Sequence, residues 1–76
     1  MKLTYDPKRN IAYIRFHEKG PTVETIRISD ALNVDMAPDG TVYGVELLNA
    51  NDQLRADDGA LVVINEALGE RREIRL

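Results

Sequence analysis

Cysteine and tryptophan are absent from the 76 residues, and histidine occurs only once. Without cysteine the chain can form neither a disulfide nor a thiolate metal site, so a metal ion would depend on oxygen ligands. The single histidine, His17, forms no recognisable serine–histidine–carboxylate motif with Glu18 and the lone Ser29, and we interpret it as a surface residue at a strand end. The sequence therefore predicts no metal ligands, no cofactor and no catalytic residues.

Long apolar runs are also absent, as is a basic-then-apolar segment at the N-terminus. A transmembrane helix needs about 20 predominantly apolar residues, and a secretory signal peptide needs a basic and then an apolar stretch. We therefore expect neither a membrane span nor a signal peptide, and we predict a cytoplasmic protein.

The chain has no excess of basic charge. Its 10 Lys and Arg residues are outnumbered by 13 Asp and Glu residues, which gives a net charge of −3. The closest approach to a basic cluster, within residues 71–75, is interrupted by an acidic residue and preceded by another. Because nucleic-acid binding needs a concentrated basic face, nucleic acid is disfavoured as a partner.

What the sequence does contain is the composition of a folded protein, with 43% apolar and 30% charged residues. A chain of this length forms one domain with a small core and often gains stability from a partner. We predict a single domain over residues 1–76, made of a β-rich part over residues 1–50 and a short helix plus hairpin over residues 51–76.

A first hairpin is predicted on both sides of a charged stretch near the N-terminus. Apolar and polar residues alternate before and after it, which is typical of strands. Pro7 and Asn10 are residue types that turns favour. A four-residue loop at 7–10 places Leu3 opposite Ile14 on one face, so the charged loop needs no ligand to explain it.

Three further alternating segments, residues 23–29, 32–36 and 42–49, predict three more strands. The loop between the last two leaves two registers open. Turn chemistry favours a three-residue loop ending at Gly40, whereas burial favours a four-residue loop that places Val34 opposite Tyr43. The two differ by one residue, and a β-bulge could reconcile them.

The last third of the chain changes character. An amide followed by an acid predicts a short helix over residues 51–57, with Asn49 as its cap. Residues 60–68 fit either a helix or the first strand of a hairpin, 61–65 paired with 72–76, and the β-branched run 62–64 favours the hairpin. The predicted fold class is therefore mainly β (a β-rich α+β fold): an antiparallel meander of about five strands, a short helix and a C-terminal hairpin.

Asp35 and Glu46 form a candidate polar pair on the outer face of the strands. Two carboxylates can divide acid and base roles when a pocket separates their pKa values. A small meander seldom builds such a pocket, so a solvated or interface position is the simpler interpretation. Four residues on the same nominal face are candidate interface residues: Tyr13, Val23, Val42 and Leu48.

Two stretches resemble a known family. "YDPKRNIAYIRF" (Tyr5–Phe16) and "DGTVYGVELLNA" (Asp39–Ala50) are similar to small prokaryotic proteins catalogued as domain of unknown function 2283, and the resemblance covers about residues 1–50. It implies a compact β-rich domain without an assigned activity. Some relatives accompany small toxin-like proteins, which implies an antitoxin or partner-binding role, but no functional residue can be carried over.

Two hypotheses about function follow. The first is a non-enzymatic protein-interaction module that forms a homodimer, with an antitoxin-like role against a small basic partner, whose association the acidic net charge would speed. The second is a small ligand-binding domain, or a carboxylate-dependent enzyme, with its site in a dimer cleft.

Overall fold

A computed structural model describes residues 1–18, 20–55 and 58–76. Its elements are β1 (Lys2–Asp6), β2 (Ile11–Arg15), β3 (Glu24–Ser29), β4 (Leu32–Met36), β5 (Val42–Leu48), α1 (Ala50–Leu54), β6 (Ala60–Asn65) and β7 (Glu70–Arg75). The predicted fold class is confirmed: the protein is mainly β and antiparallel, with one short helix and a C-terminal hairpin. Within the described ranges, no helix has the length and apolar character needed to cross a membrane.

The first five strands form one antiparallel sheet in the order β1-β2-β5-β4-β3. This order differs from the order along the chain. After β2 the chain crosses to the opposite edge of the sheet, where it forms β3 and then β4. The fifth strand, β5, then lies at the centre, between β2 and β4. Its apolar sequence VYGVELL suits that central position, whereas every residue of the edge strand β3 is exposed.

The first hairpin has the predicted register, with Leu3 opposite Ile14. The Asp6 carboxylate accepts hydrogen bonds from the amides of Lys8 (3.0 Å) and Arg9 (3.3 Å). Asn10 has a φ of 61°, a left-handed conformation that asparagine tolerates. The charged loop is therefore a turn stabilised by its own side chains.

The second hairpin satisfies both of the competing constraints by means of a bulge. Gly40 has a φ of 90° and its amide donates to the Ala37 carbonyl (2.9 Å), as expected of a three-residue loop. The register then shifts by one residue at Tyr43, which has no direct partner in β4. Val34 consequently faces Val45 rather than Tyr43, so the four-residue alternative is wrong, yet the apolar residues still share one face.

The helix begins at Ala50, one residue earlier than predicted, and ends at Leu54; residues 56 and 57 of the predicted helix lie outside the described residues. Asn49 occupies the N-cap position with a φ of 56°, but its side chain does not cap the helix. The cap comes from Asn10, whose side-chain oxygen accepts a hydrogen bond from the Asn51 amide (2.7 Å).

The C-terminal segment forms the hairpin, and the alternative helix over residues 60–68 is wrong. Asn65 pairs with Glu70 across a four-residue turn in which Gly69 has a φ of 68°. The second strand therefore begins two residues earlier than predicted.

The core of the isolated chain is small. One apolar row crosses all five strands of the first sheet: Leu3, Ile14, Val45, Val34 and Ile26. Within the described residues, however, Ala12 and Ala50 are the apolar side chains that are buried, and no large side chain is fully buried. The apolar face of the sheet is thus only partly covered by its own chain.

Candidate functional site

The opposite, polar face of the sheet carries a buried carboxylate. Asp35 is 4% exposed, and it is the buried charged side chain of the described part of the chain. Three other strands each contribute one residue around it, and we call the resulting set of four residues the tyrosine–aspartate cluster: Asp35 (β4), Tyr13 (β2), Gly44 (β5) and Thr25 (β3).

Tyr13 reaches Asp35 by crossing over β5. Its hydroxyl donates to Asp35 Oδ2 (2.5 Å), although β2 and β4 are not neighbours. Gly44 lies opposite Asp35 in the intervening strand, and a Cβ at Gly44 would overlap the Tyr13 hydroxyl and ring. Glycine at position 44 therefore makes the hydrogen bond sterically possible.

The second oxygen of Asp35 is also used. The Thr25 hydroxyl donates to Asp35 Oδ1 (2.5 Å) from the edge strand β3. A buried carboxylate is expensive unless its oxygens accept hydrogen bonds, and these two bonds meet that need. The cluster thus connects β2, β4 and β3 through side chains.

The electrostatics of the cluster keep Tyr13 protonated. Burial, followed by the hydrogen bond to Asp35 and the charge of Asp35, raises the pKa of Tyr13 to about 12. A phenol with that pKa donates a hydrogen bond at neutral pH and is a poor general base. The geometry therefore suits a structural role, in which the hydrogen bond from Tyr13 to Asp35 links β2 to β4.

Glu46 lies on the same polar face, as predicted, directly between Tyr13 on β2 and Asn33 on β4. Its carboxylate accepts a hydrogen bond from the Asn33 side-chain amide (3.0 Å). Asp35 and Glu46 are thus placed on one face, but each carboxylate is engaged by different hydrogen-bond partners.

A cleft of about 300 Å³ lies elsewhere, where β1 begins and β2 ends, and Met1, Lys2, Arg15, Phe16, His17 and Glu18 line it. His17 is exposed there and its ring makes an edge contact with Tyr43 (5.2 Å between centroids). The side chains of Asp35 and Glu46 do not line this cleft. Among residues 1–18, 20–55 and 58–76, no three His, Asp or Glu side chains are grouped as metal ligands.

A second polar cluster was not anticipated from the sequence. The Tyr5 hydroxyl donates to Asn51 Oδ1 (2.5 Å), and the Asn51 side-chain amide donates to the Pro7 carbonyl (3.1 Å). Together with the cap from Asn10, these bonds dock α1 onto the first hairpin. Asn10 is identifiable in the sequence as a turn residue, but its partner 41 positions away is not.

The candidate interface residues Tyr13, Val23, Val42 and Leu48 are all half-buried. Tyr13 belongs to the tyrosine–aspartate cluster. Val23 precedes β3, Val42 opens β5 opposite Met36, and Leu48 closes β5 opposite Ile11.

The large apolar side chains that are exposed lie mainly on the C-terminal hairpin. Five of the nine found in the described residues form a set that we call the hairpin apolar group: Val62, Val63, Ile64, Leu68 and Ile74. The other four are Met1, Phe16, Ile26 and Ile28. By strand alternation, Val62 and Ile64 lie on one face of the hairpin, and Val63 and Ile74 lie on the other.

Comparison with known proteins matches the chain to a family model. The sequence model of the family described as "Protein of unknown function (DUF2283)" matches residues 2–51. No curated protein and no solved structure matches the chain at a significant level. The matched part ends within α1, so the hairpin apolar group lies outside it.

Proposed function

The chain belongs to the DUF2283 family of proteins of unknown function, so its function has to be argued from its own surfaces, and we propose that it is a non-enzymatic protein-interaction module. In this proposal it acts in the cytoplasm as a homodimer, and the homodimer binds a small basic protein in the manner of an antitoxin.

One observation carries the proposal: the chain exposes more surface than a compact monomer of its size. Its accessible surface is 5786 Å². A monomer of 8.6 kDa is expected to expose about 4,700 Å². The radius of gyration, 14.0 Å, likewise exceeds the roughly 11 Å expected for 76 residues. A partner that covers the exposed apolar side chains would supply the missing burial.

The net charge of −3 supports a basic partner. Complementary charge speeds association and disfavours acidic competitors. The family match itself assigns no partner, so this part of the proposal rests on charge.

Light scattering on the purified chain, together with capture of bound proteins from its host at low and high salt, tests the proposal. We expect twice the chain mass for the protein alone, and one small basic protein bound at fixed stoichiometry. Because screening weakens charge attraction, capture should decrease as salt rises. A monomer that retains no protein would contradict the proposal.

The alternative is a ligand-binding domain or carboxylate-dependent enzyme that uses Asp35 and Glu46. The hydrogen bonds that Asp35 and Glu46 accept support structural roles instead. A Glu46→Gln variant separates the two functions, because it removes acid–base chemistry while keeping the shape of the side chain. We expect partner capture to be unchanged; loss of a measurable ligand-binding or catalytic activity in this variant would favour the alternative.

A further inference from the structure

The two strands of the C-terminal hairpin differ in composition. β6 (ALVVIN) has no charged side chain, whereas β7 (ERREIR) has five. Successive residues of a strand point to opposite faces, so β6 is apolar on both faces. An uninterrupted apolar run is typical of a strand inside a sheet, and charged residues are typical of an edge.

In the described part of the chain, β6 nevertheless has a neighbouring strand on one side only, because it pairs with β7 and with no other strand. The exposed fractions of Val62, Val63 and Ile64 are 38%, 49% and 60%. The composition of β6 is therefore typical of an interior strand, whereas in its two-stranded sheet β6 is an edge strand.

The backbone of β6 presents hydrogen-bonding groups at this open edge. The Leu76 amide donates to the Gly59 carbonyl (2.9 Å), which sets the alternation of the antiparallel ladder. By that alternation, the amides of Leu61 and Val63 point toward β7. The amides of Val62 and Ile64 point away from β7, toward the open edge.

We propose that the open edge of β6 pairs antiparallel with β6 of a second copy of this chain. The result is a four-stranded sheet in the order β7-β6-β6-β7, with the charged strands at its edges and the apolar strands at its centre. This inference rests on the proposed function, since it names the surface through which the homodimer forms.

A second copy fits this edge for reasons of charge and symmetry. Pairing β6 with itself places only uncharged residues opposite one another, so no buried charge has to be neutralised. Antiparallel pairing of identical strands is also the arrangement that a two-fold axis generates. An axis at Val62 places Ala60 opposite Ile64 of the second copy, and the amides of Val62 and Ile64 then bond across the axis in both directions.

The excess of exposed area over that of a compact monomer is similar to the area that one partner buries in a standard interface. The chain exposes 5786 Å², which is about 1,100 Å² more than expected for a compact monomer of its mass. A standard protein interface buries about 800 Å² per partner. Sheet pairing at β6, with the apolar side chains on its two faces, would therefore account for most of the excess.

Two proline variants test the proposal at matched positions. Val62→Pro removes an amide that points to the open edge of β6, and Glu73→Pro removes the amide that points to the outer edge of β7 at the paired position. Neither change removes a hydrogen bond between β6 and β7. Because the two-fold axis doubles each loss, we expect the dimer of Val62→Pro to be about 100-fold weaker by light scattering across a dilution series, and that of Glu73→Pro to be unchanged.

The outcomes separate this inference from the proposed function. If both variants and the unmodified protein are dimers, the β6 pairing is wrong and the homodimer forms through another surface. If the unmodified protein is a monomer that still binds a basic partner, the pairing is wrong and the interaction module stands. A monomer without any partner overturns both.

Amide hydrogen exchange on the unmodified protein tests the pairing without a variant. We expect the amides of Val62 and Ile64 to be protected as strongly as those of Leu61 and Val63, and to lose that protection on dilution. If Leu61 and Val63 are protected while Val62 and Ile64 exchange freely at concentrations where the protein is a dimer, the pairing is overturned.

Discussion

At the scale of single residues, the buried Asp35 carboxylate organises the polar face of the sheet. Its two oxygens accept hydrogen bonds from Tyr13 and Thr25, which lie on strands that do not neighbour each other. Gly44 matters because it has no side chain where the Tyr13 ring crosses β5. Through these hydrogen bonds, the side chains of Tyr13, Asp35 and Thr25 link three strands of the sheet.

A Gly44→Ala variant tests the crossing. The added methyl group would overlap the Tyr13 hydroxyl, so the ring must move and its hydrogen bond to Asp35 breaks. We expect the free energy of unfolding, measured in urea, to fall by about 2–4 kcal/mol. Gly20→Ala is the matched control, because a Cβ there meets no atom within 4 Å, and its effect should stay below about 0.5 kcal/mol. Equal effects would contradict the crossing.

The titration of Tyr13 predicts how stability depends on alkaline pH. The folded state raises the pKa of Tyr13 from 10.0 to about 12, so folding favours the protonated phenol. Its contribution is fully present below pH 10 and is lost as the pH rises toward 12, because the unfolded state releases this proton first. The stability advantage of the wild type over Tyr13→Phe should therefore shrink between pH 9.5 and pH 11.5 in urea titrations. A constant difference would argue against the hydrogen bond.

At the scale of elements, the loop of the second hairpin shows how the preferences of turn residues are combined with the burial of apolar side chains. The second hairpin keeps the three-residue loop that Gly40 favours and then inserts Tyr43 as a bulge, which returns Val34 and Val45 to the apolar face. The helix α1 shows the same dependence on context, since five residues are too few for a stable isolated helix and its cap comes from a distant loop.

Removing that cap should loosen α1. In Asn10→Gly the backbone can keep its φ of 61°, but the oxygen that accepts the Asn51 amide is lost. We expect a loss of about 1 kcal/mol in the free energy of unfolding and faster amide exchange in α1. Asn49→Gly is the control, since its φ is also left-handed and its side chain does not cap the helix. A larger effect at Asn49 would contradict the assignment of the cap.

At the scale of the whole molecule, the surface area and the shape of the chain are the observations that support our proposal of a homodimer. The dimensions of the chain are 36 × 33 × 17 Å, so the molecule is flat and little thicker than one layer of strands with their side chains. A single layer leaves one sheet face without a second layer to pack against, and small domains often gain this burial from a second subunit.

Thermal unfolding at different protein concentrations tests whether the stability of the chain depends on the proposed homodimer. Folding that depends on a homodimer is linked to association by mass action, so Tm rises with protein concentration. We expect a rise of several degrees in Tm over a 100-fold increase in concentration for the unmodified protein. Val62→Pro should show a weaker dependence on concentration, and a flat profile for the unmodified protein would contradict the homodimer.

The sequence by itself determined the first hairpin with its register and the mainly β fold class, and its β-branched run favoured the C-terminal hairpin over a helix. These depend on turn residues and on alternation within a few positions, which act over short separations. Only the tertiary structure decided that β5 lies between β2 and β4, that Tyr43 is a bulge, and that Asp35 is buried beneath Tyr13. Which strands pair depends on how much apolar surface each arrangement buries. The buried area in turn depends on residues that are distant in the sequence. The hydroxyl of Tyr13 and its acceptor are 22 positions apart, and no local pattern links them.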